Sequence, residues 1–307
     1  MIIVIGEALI DLFQDRYNPT SYNAVVGGAN ANVAIALARR GTNHTFLARI
    51  STDSFGQQIT KKLNDNDVNT DHKITTTEPT TLAVVSIGPN GSPSYSFYVN
   101  GTADWGWTPA ELPQLEAEAI QFGCLTMAME PGNLVIENWA RELKNVTISH
   151  DINIRAALGF DPNKEKERVE RTNKFSNIIK ASDEDIEWLY QNKRNVDEVA
   201  QEWAKDGKII LITRGADGVS IFRNDERMDV PSRKINVVDT VGAGDTFCAN
   251  LLGQLQDNNY LGKDLNQIPS EELKNFVYIS GIAASITCER AGCEPPTQED
   301  LKAILDA

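Results

Sequence analysis

The sequence predicts an α/β protein of three layers, with a mostly parallel sheet between helices and a small β-sheet lid set apart from it. Three observations lead there. Short β-branched runs alternate with helical stretches along most of the chain, the pattern of a parallel sheet covered on both faces. Two strand-like segments, at 12–26 and 80–100, interrupt that alternation. Two turns of small residues, Gly27-Gly28 and Gly242-Ala243-Gly244, each open a helix. Residues 1–11, 27–79 and 101–307 are accordingly assigned to the core, and 12–26 with 80–100 to the lid.

Taken in order, Ile2-Ile3-Val4-Ile5 ends at Gly6 and reads as a buried central strand. Residues 29–40 carry Val33, Ala34, Leu37 and Ala38 at helical spacing, and Gly41 closes that helix. A strand over 45–50 and a helix over 53–66 follow, with Asp53 as N-cap. Strands at 82–87 and 95–99 flank Pro89-Asn90-Gly91, a strong turn signal. Runs at 122–127, 146–149, 177–181 and 209–213 read as buried strands, separated by helices near 133–144, 183–190 and 195–205. A second hairpin joins 219–222 to 227–230 around Asn224-Asp225, and helices at 242–256, 270–288 and 298–305 close the chain.

Composition excludes several classes. The 307 residues carry 29 Lys and Arg against 43 Asp and Glu, a formal charge of -14. Such a chain repels nucleic acid and anionic membrane, so neither is an expected partner. An anionic substrate must therefore be held by a local device. Four cysteines without a Cys-x-x-Cys pair read as reduced, buried thiols. The N-terminus has no basic leader, and no stretch approaches the ~18 apolar residues of a membrane span; a cytoplasmic location is expected. A Walker-type phosphate loop is missing, and no Gly-x-Gly-x-x-Gly follows the first strand. His44, His72 and His150 have no partner at metal-ligand spacing.

The most informative segment is Val237-Val238-Asp239-Thr240-Val241-Gly242-Ala243-Gly244-Asp245-Thr246-Phe247. Glycines before a helix start expose free amides to a ligand and make an anion site. Asp245, in the first turn, is unsuited to bind phosphate itself. It is suited to accept a proton from a hydroxyl beside the anion. Asp245 could instead merely complement the helix dipole, but Gly-Ala-Gly before it favours a functional role. In Gly27-Gly28-Ala29-Asn30-Ala31-Asn32, the two Asn amides suit neutral hydroxyls. Asp11 lies inside an apolar run, and a buried carboxylate must be paired or bind a ligand; holding a polyol is one such use.

Together these segments resemble the ribokinase-like carbohydrate kinases, the phosphofructokinase-B family, from Gly6 to Pro296. The resemblance rests on Gly27-Gly28-Ala29-x-Ala31-Asn32-Val33-Ala34 and Asp239-Thr240-x-Gly242-Ala243-Gly244-Asp245-Thr246-Phe247, in that order. It implies Asp245 as catalytic base and Gly242, Ala243 and Gly244 as the anion hole. It implies Asp11, Gly27, Gly28, Asn32, Asn100 and Arg155 at the sugar. Ser182, Thr213, Gly215 and Gly218 would lie along the nucleotide. Asp239 and the Val241 carbonyl, with carbonyls of loop 287–292, would hold a monovalent cation, K⁺. Asp185, which stands where the family usually has Glu, would serve the Mg²⁺ that comes with ATP through water, or Glu184 would substitute for it.

The activity that the resemblance implies is transfer of the γ-phosphoryl of ATP to a hydroxyl of a free sugar. The opening Glu7-Ala8-Leu9-Ile10-Asp11 and the stretch Asp151-Ile152-Asn153-Ile154-Arg155 are most similar to fructokinases. Ribokinase, 2-keto-3-deoxygluconate kinase and nucleoside kinase remain open within the family, and a non-catalytic sugar- or nucleotide-binding protein outside it. An ordinary Asp, with a pKa of about 3.9, is ionised at neutral pH and ready as a base. The lid is expected to close over the sugar, and its exposed strands to pair with those of a second copy in a homodimer.

Overall fold

The computed structural model of the chain describes residues 1–87 and 93–306; the expected turn at Pro89-Asn90-Gly91 lies outside them. Strand β1 (Ile2–Ile5) leads through Gly6-Glu7-Ala8 into a hairpin of β2 (Leu9–Gln14) and β3 (Tyr22–Gly27). Helix α1 (Ala29–Arg39), β4 (His44–Leu47), β5 (Arg49–Ser51), α2 (Ser54–Asp65) and β6 (Ile74–Thr76) follow. A second pair, β7 (Leu82–Ile87) and β8 (Pro93–Tyr98), precedes β9 (Ala119–Gly123), α3 (Cys124–Ala128) and α4 (Gly132–Glu142). Then come β10 (Thr147–Asp151), α5 (Pro162–Asn173), β11 (Ile178–Ser182), α6 (Asp183–Leu189), α7 (Val196–Trp203) and β12 (Ile209–Thr213). The hairpin β13 (Val219–Arg223) with β14 (Glu226–Val230) and helices α8 (Ala243–Asp257), α9 (Ser270–Cys288) and α10 (Gln298–Leu305) complete the order.

The large sheet has eight strands in the order β14-β13-β12-β11-β10-β9-β1-β4, parallel from β12 to β4 and antiparallel at β13 and β14. Alternation along its strands sends side chains to two cores. Ile2, Val4, Phe46 and Leu211 pack under α1, α2, α8 and α9. Ile3, Ile5, Leu47, Phe122 and Ile148 pack under α4, while Ile179, Ile210 and Ile212 meet α5, α6 and α7. Three layers result because the inner strands, such as β1, β9 and β12, are buried on both faces. A separate four-stranded sheet runs β3-β2-β7-β8, and β5 pairs with β6 alone. Among the described residues, no helix is long and apolar enough to cross a membrane.

Several elements depart from the sequence expectation. The expected strand over 45–50 is two strands in two sheets: β4 follows β1, and after Ala48 the chain turns to pair with β6. The run at 122–127 is a strand only to Gly123. Cys124 adopts φ 51°, and α3 begins where Glu7 takes the Thr126 amide and hydroxyl. The expected single stretch at 12–26 is the hairpin of β2 and β3. Helix α5 was not expected, because Lys164-Glu165-Lys166-Glu167-Arg168 offers few apolar residues. Asp161 caps it, Pro162 starts it, and a buried ion pair of Arg168 with Glu165 lets its inner face pack beside Val169.

Candidate active site

The carboxyl ends of the parallel strands lie along one edge of the sheet, and strand order reverses around β1 and β9. Such a crevice is where open α/β sheets hold ligands. Glu7 organises it. This wholly buried carboxylate, just past β1, accepts from Ala29 N at 3.0 Å and Asn30 Nδ2 at 2.9 Å. It also accepts from Thr126 N at 3.2 Å and from the Thr126 hydroxyl. One side chain thus joins the amino ends of α1 and α3.

Asp245 is the third residue of α8 and 5% exposed. Its Oδ2 accepts from Asn32 Nδ2 of α1 at 2.8 Å, so the two small-residue signatures meet side chain to side chain. Gly242 caps α8 with φ 77°, and a Cβ there would fall 2.0 Å from Cys293 Sγ, so only glycine fits. The Ala243 amide turns back to Thr240 O at 3.3 Å. The amides of Gly244 and Asp245, in the first helical turn, have no intrahelical acceptor. Burial first, then the charge of Asp151, push the Asp245 carboxyl up to about 7; Asn32, Arg155 and Lys180 act against them. The expectation of an ordinary, fully ionised Asp is thereby corrected: with its low-dielectric surroundings, the group titrates near neutrality.

On β2, Asp11 lies opposite Val25 and Ala83. A Cβ on Gly27 would fall 2.2 Å from its Oδ2, so Gly27 makes room for this carboxylate. Burial raises Asp11 to about 6, and Arg155 draws it down. Arg155 follows β10, donates to Asn153 Oδ1, and has both Asp11 and Asp245 in its electrostatic surroundings. Gly28 is the N-cap of α1, its carbonyl accepting Asn32 N at 2.9 Å. Asn100 is exposed, in the turn after β8.

At the neighbouring strand ends, Ser182 caps α6 and Asp185 closes a reciprocal capping box with it. Asp185 Oδ2 accepts from Ser182 N and Oδ1 from Ile154 N, both at 2.8 Å, which pins the loop carrying Arg155. Thr213 ends β12, while Gly215 and Gly218 shape the next turn, where Arg214 N donates to Gly218 O at 2.8 Å. Asp239 Oδ1 accepts from Val241 N and Oδ2 from Gly292 N, both at 3.0 Å, joining the loop before α8 to the one after α9. Among the described residues, no group of three or more His, Cys, Asp or Glu could hold a metal ion.

Sequence reasoning missed Glu7, Asp104, Thr126 and Lys180. Asp104 is fully buried, accepts from Ala8 N at 2.9 Å and from the Thr81 hydroxyl at 2.5 Å, and is pushed up by burial to about 7. The signal for Lys180 was present: a charge inside the apolar strand 177–181 is the same anomaly that drew attention to Asp11.

The architecture is ribokinase-like. The chain belongs to the pfkB family of carbohydrate kinases, whose family model matches residues 1–300. A curated relative named fructokinase, from Rhizobium leguminosarum bv. trifolii, is 36% identical over 282 residues, covering 90% of this chain and 86% of the relative. The crystal structure of a fructokinase with bound ATP from Xylella fastidiosa superposes with a TM-score of 0.88 at 23% identity, covering 99% of this chain and 98% of that one; it shows the shared fold. An uncharacterized sugar kinase from Pyrococcus horikoshii, in complex with ATP, gives 0.81 at 27% identity over 98% of this chain and 97% of that one.

Proposed function

We propose that this carbohydrate kinase transfers the γ-phosphoryl of ATP to the primary hydroxyl of fructose, giving fructose 6-phosphate, with Asp245 as general base. The observation that carries the mechanism is the contact between Asn32 and Asp245, which sets a buried carboxylate beside the amides opening α8. The 36% identical fructokinase supports fructose as acceptor.

In this reading, Asp11 and Asn32 bind and orient the sugar hydroxyls. The Asn32 amide nitrogen fixes Asp245, which takes the proton from the attacking hydroxyl. The Gly244 and Asp245 amides are aimed at the phosphoryl oxygens, with Arg155 adding positive charge nearby. Because Asp245 also could activate water, closure of the four-stranded sheet over the sugar protects ATP. Thr213, Gly215 and Gly218 would lie along the nucleotide.

The donor set fits hard cations by kind. Bound with ATP, Mg²⁺ would neutralise phosphate charge; with no carboxylate cage among the described residues, phosphates and water would be its main ligands. Asp185, whose oxygens already accept two backbone amides, would reach it only through water. Asp239 with the carbonyls of Val241 and loop 287–292 offers oxygen ligands suited to K⁺.

A homodimer through the lid belongs to the same reading. Phe13, Val25 and Tyr95, 40%, 46% and 50% exposed, share the Asp11 face of the four-stranded sheet by register, and a second copy would cover them. A cytoplasmic location, where ATP is supplied, completes it.

The test is ADP release from Mg-ATP with fructose, ribose, glucose, 2-keto-3-deoxygluconate or adenosine, with and without K⁺. Fructose-dependent turnover that falls about 10²–10⁴-fold in Asp245→Asn is the expected result. Preference for another acceptor would replace the substrate and keep the mechanism. Sugar binding without turnover for any acceptor would favour a binding protein.

A further inference from the structure

Beneath the turn at 242–245 lies an ion pair that the mechanism above leaves without a role. Asp151 ends β10, and Lys180 lies beside it in register on β11. Lys180 Nζ donates to Asp151 Oδ1 at 2.8 Å, with side chains only 8% and 6% exposed. Cys248 Sγ of α8 donates to Asp151 Oδ2 at 3.6 Å, so the pair faces α8. A buried ion pair is weak evidence for stability, since apolar residues of similar volume often do as well. Its position suggests a different use. A Cβ on Gly244 would stand 3.0 Å from Lys180 Nζ, so the ammonium lies directly against the turn from the sheet side. The small residue at 244 makes room for it below the turn.

We propose that Asp151 and Lys180 are positioning residues for phosphoryl transfer: the ammonium supports the turn at 242–245, and the carboxylate sets the charge that faces the base. This rests on the kinase reading with Asp245 as base.

Charged and titratable groups face Asp245 from several elements. Asn32 faces it from α1, Asp151 from β10, Arg155 from the following loop and Lys180 from β11. The thiols of Cys124, Cys248 and Cys293 surround it from α3, α8 and the C-terminal loop, and burial holds each of them neutral. Burial disfavours the Lys180 ammonium, but Asp151 foremost, with Cys248 and Asp185, more than offsets this and raises its pKa. Burial also pushes Asp151 up, with Lys180 pulling against it. Lys180 thus works against burial to favour the charged form of Asp151, the carboxylate that most disfavours charge on Asp245. Asp151 opposes ionisation of Asp245 more strongly than Lys180 favours it.

The experiment is the pH profile of kcat/KM for the acceptor that gives turnover, in wild type, Asp151→Asn and the double variant Asp151→Asn/Lys180→Met, with folding checked by thermal unfolding. Removing the Asp151 charge should move the acid limb about one pH unit lower. Removing both charges should leave the limb between that of the single variant and wild type. A merely structural pair would lower the rate without moving the limb. An unmoved limb in Asp151→Asn, or a double variant shifted beyond the single one, overturns the proposal. Should Asp151→Asn not fold, a ¹³C-carboxyl NMR titration of the wild-type protein decides. Asp151 charged at pH 7, beside an Asp245 titrating near neutrality, is expected; a neutral Asp151 overturns it. Asp245→Asn, run alongside, separates the two ideas. Retained turnover there sinks the base itself, whereas lost turnover with an unmoved Asp151→Asn limb sinks only the pair.

Discussion

Replacing Glu7 should destabilise the protein far more than its distance from the reacting atoms suggests. Glu7 is wholly buried and satisfies four donors on two helices: Ala29 N, Asn30 Nδ2, Thr126 N and the Thr126 hydroxyl. Hydrogen bonds to a charged acceptor contribute about 1.5–3 kcal/mol each, and a stranded buried donor costs about 1–3 kcal/mol. These figures do not add, because Asn30 can turn to Gly123 O, which it already approaches at 3.3 Å, and water can enter the space left behind. Glu7→Ala should therefore cost about 3–5 kcal/mol, roughly a fifth or more of a typical domain's stability. Glu7→Gln keeps the volume and one acceptor, and should cost about half as much. Urea unfolding followed by tryptophan fluorescence measures both. The loss should reach the site as well, since Asn32 lies one turn along the same helix and holds Asp245; ADP release should fall even where Glu7→Ala is still folded. A stability within about 1 kcal/mol of wild type would refute the clamp, because that is the range of an ordinary substitution.

Three further outcomes follow from the same geometry. Since Asp245 must be ionised to accept a proton and burial raises it to about 7, kcat/KM should fall about tenfold per pH unit below neutrality; a profile flat from pH 5.5 to 8 would contradict the assigned environment. Asp104, also raised to about 7 by burial, stays protonated in the folded chain while the unfolded carboxyl ionises near pH 4. Stability should therefore decline as pH rises from about 4 to about 7 and level off above, and Asp104→Asn should remove one proton's share of that slope in urea titrations across this range. Asp11→Ala should raise the sugar KM while leaving the KM for ATP alone, and equal changes in both would make Asp11 structural.

Much of the fold was legible because it is written locally. Four β-branched residues before Gly6, an Asp53 cap and a helix bounded at 270 and 288 are decided within a few neighbours, and the structure has them at those places. The small-residue turns also marked the two helix starts that meet in the site. Local pattern failed where a distant residue took over. The strand at 122–127 ends at Gly123 because Glu7, more than a hundred residues earlier, takes the Thr126 amide. Helix α5 hid behind a charged composition whose buried pair of Arg168 and Glu165 only packing reveals.

By itself, then, the sequence determined the alternation of elements, the two signatures and the kinds of side chain available for chemistry. Tertiary structure alone decided that Asn32 and Asp245, 213 residues apart, share a hydrogen bond, and that Lys180 sits under Gly244. It also decided that Asp245 titrates near 7 rather than where a free carboxyl would. Periodicity and caps depend on neighbours along the chain. Burial and Coulomb interactions depend on distance through space, which exists only once the sheet has brought the strand ends together.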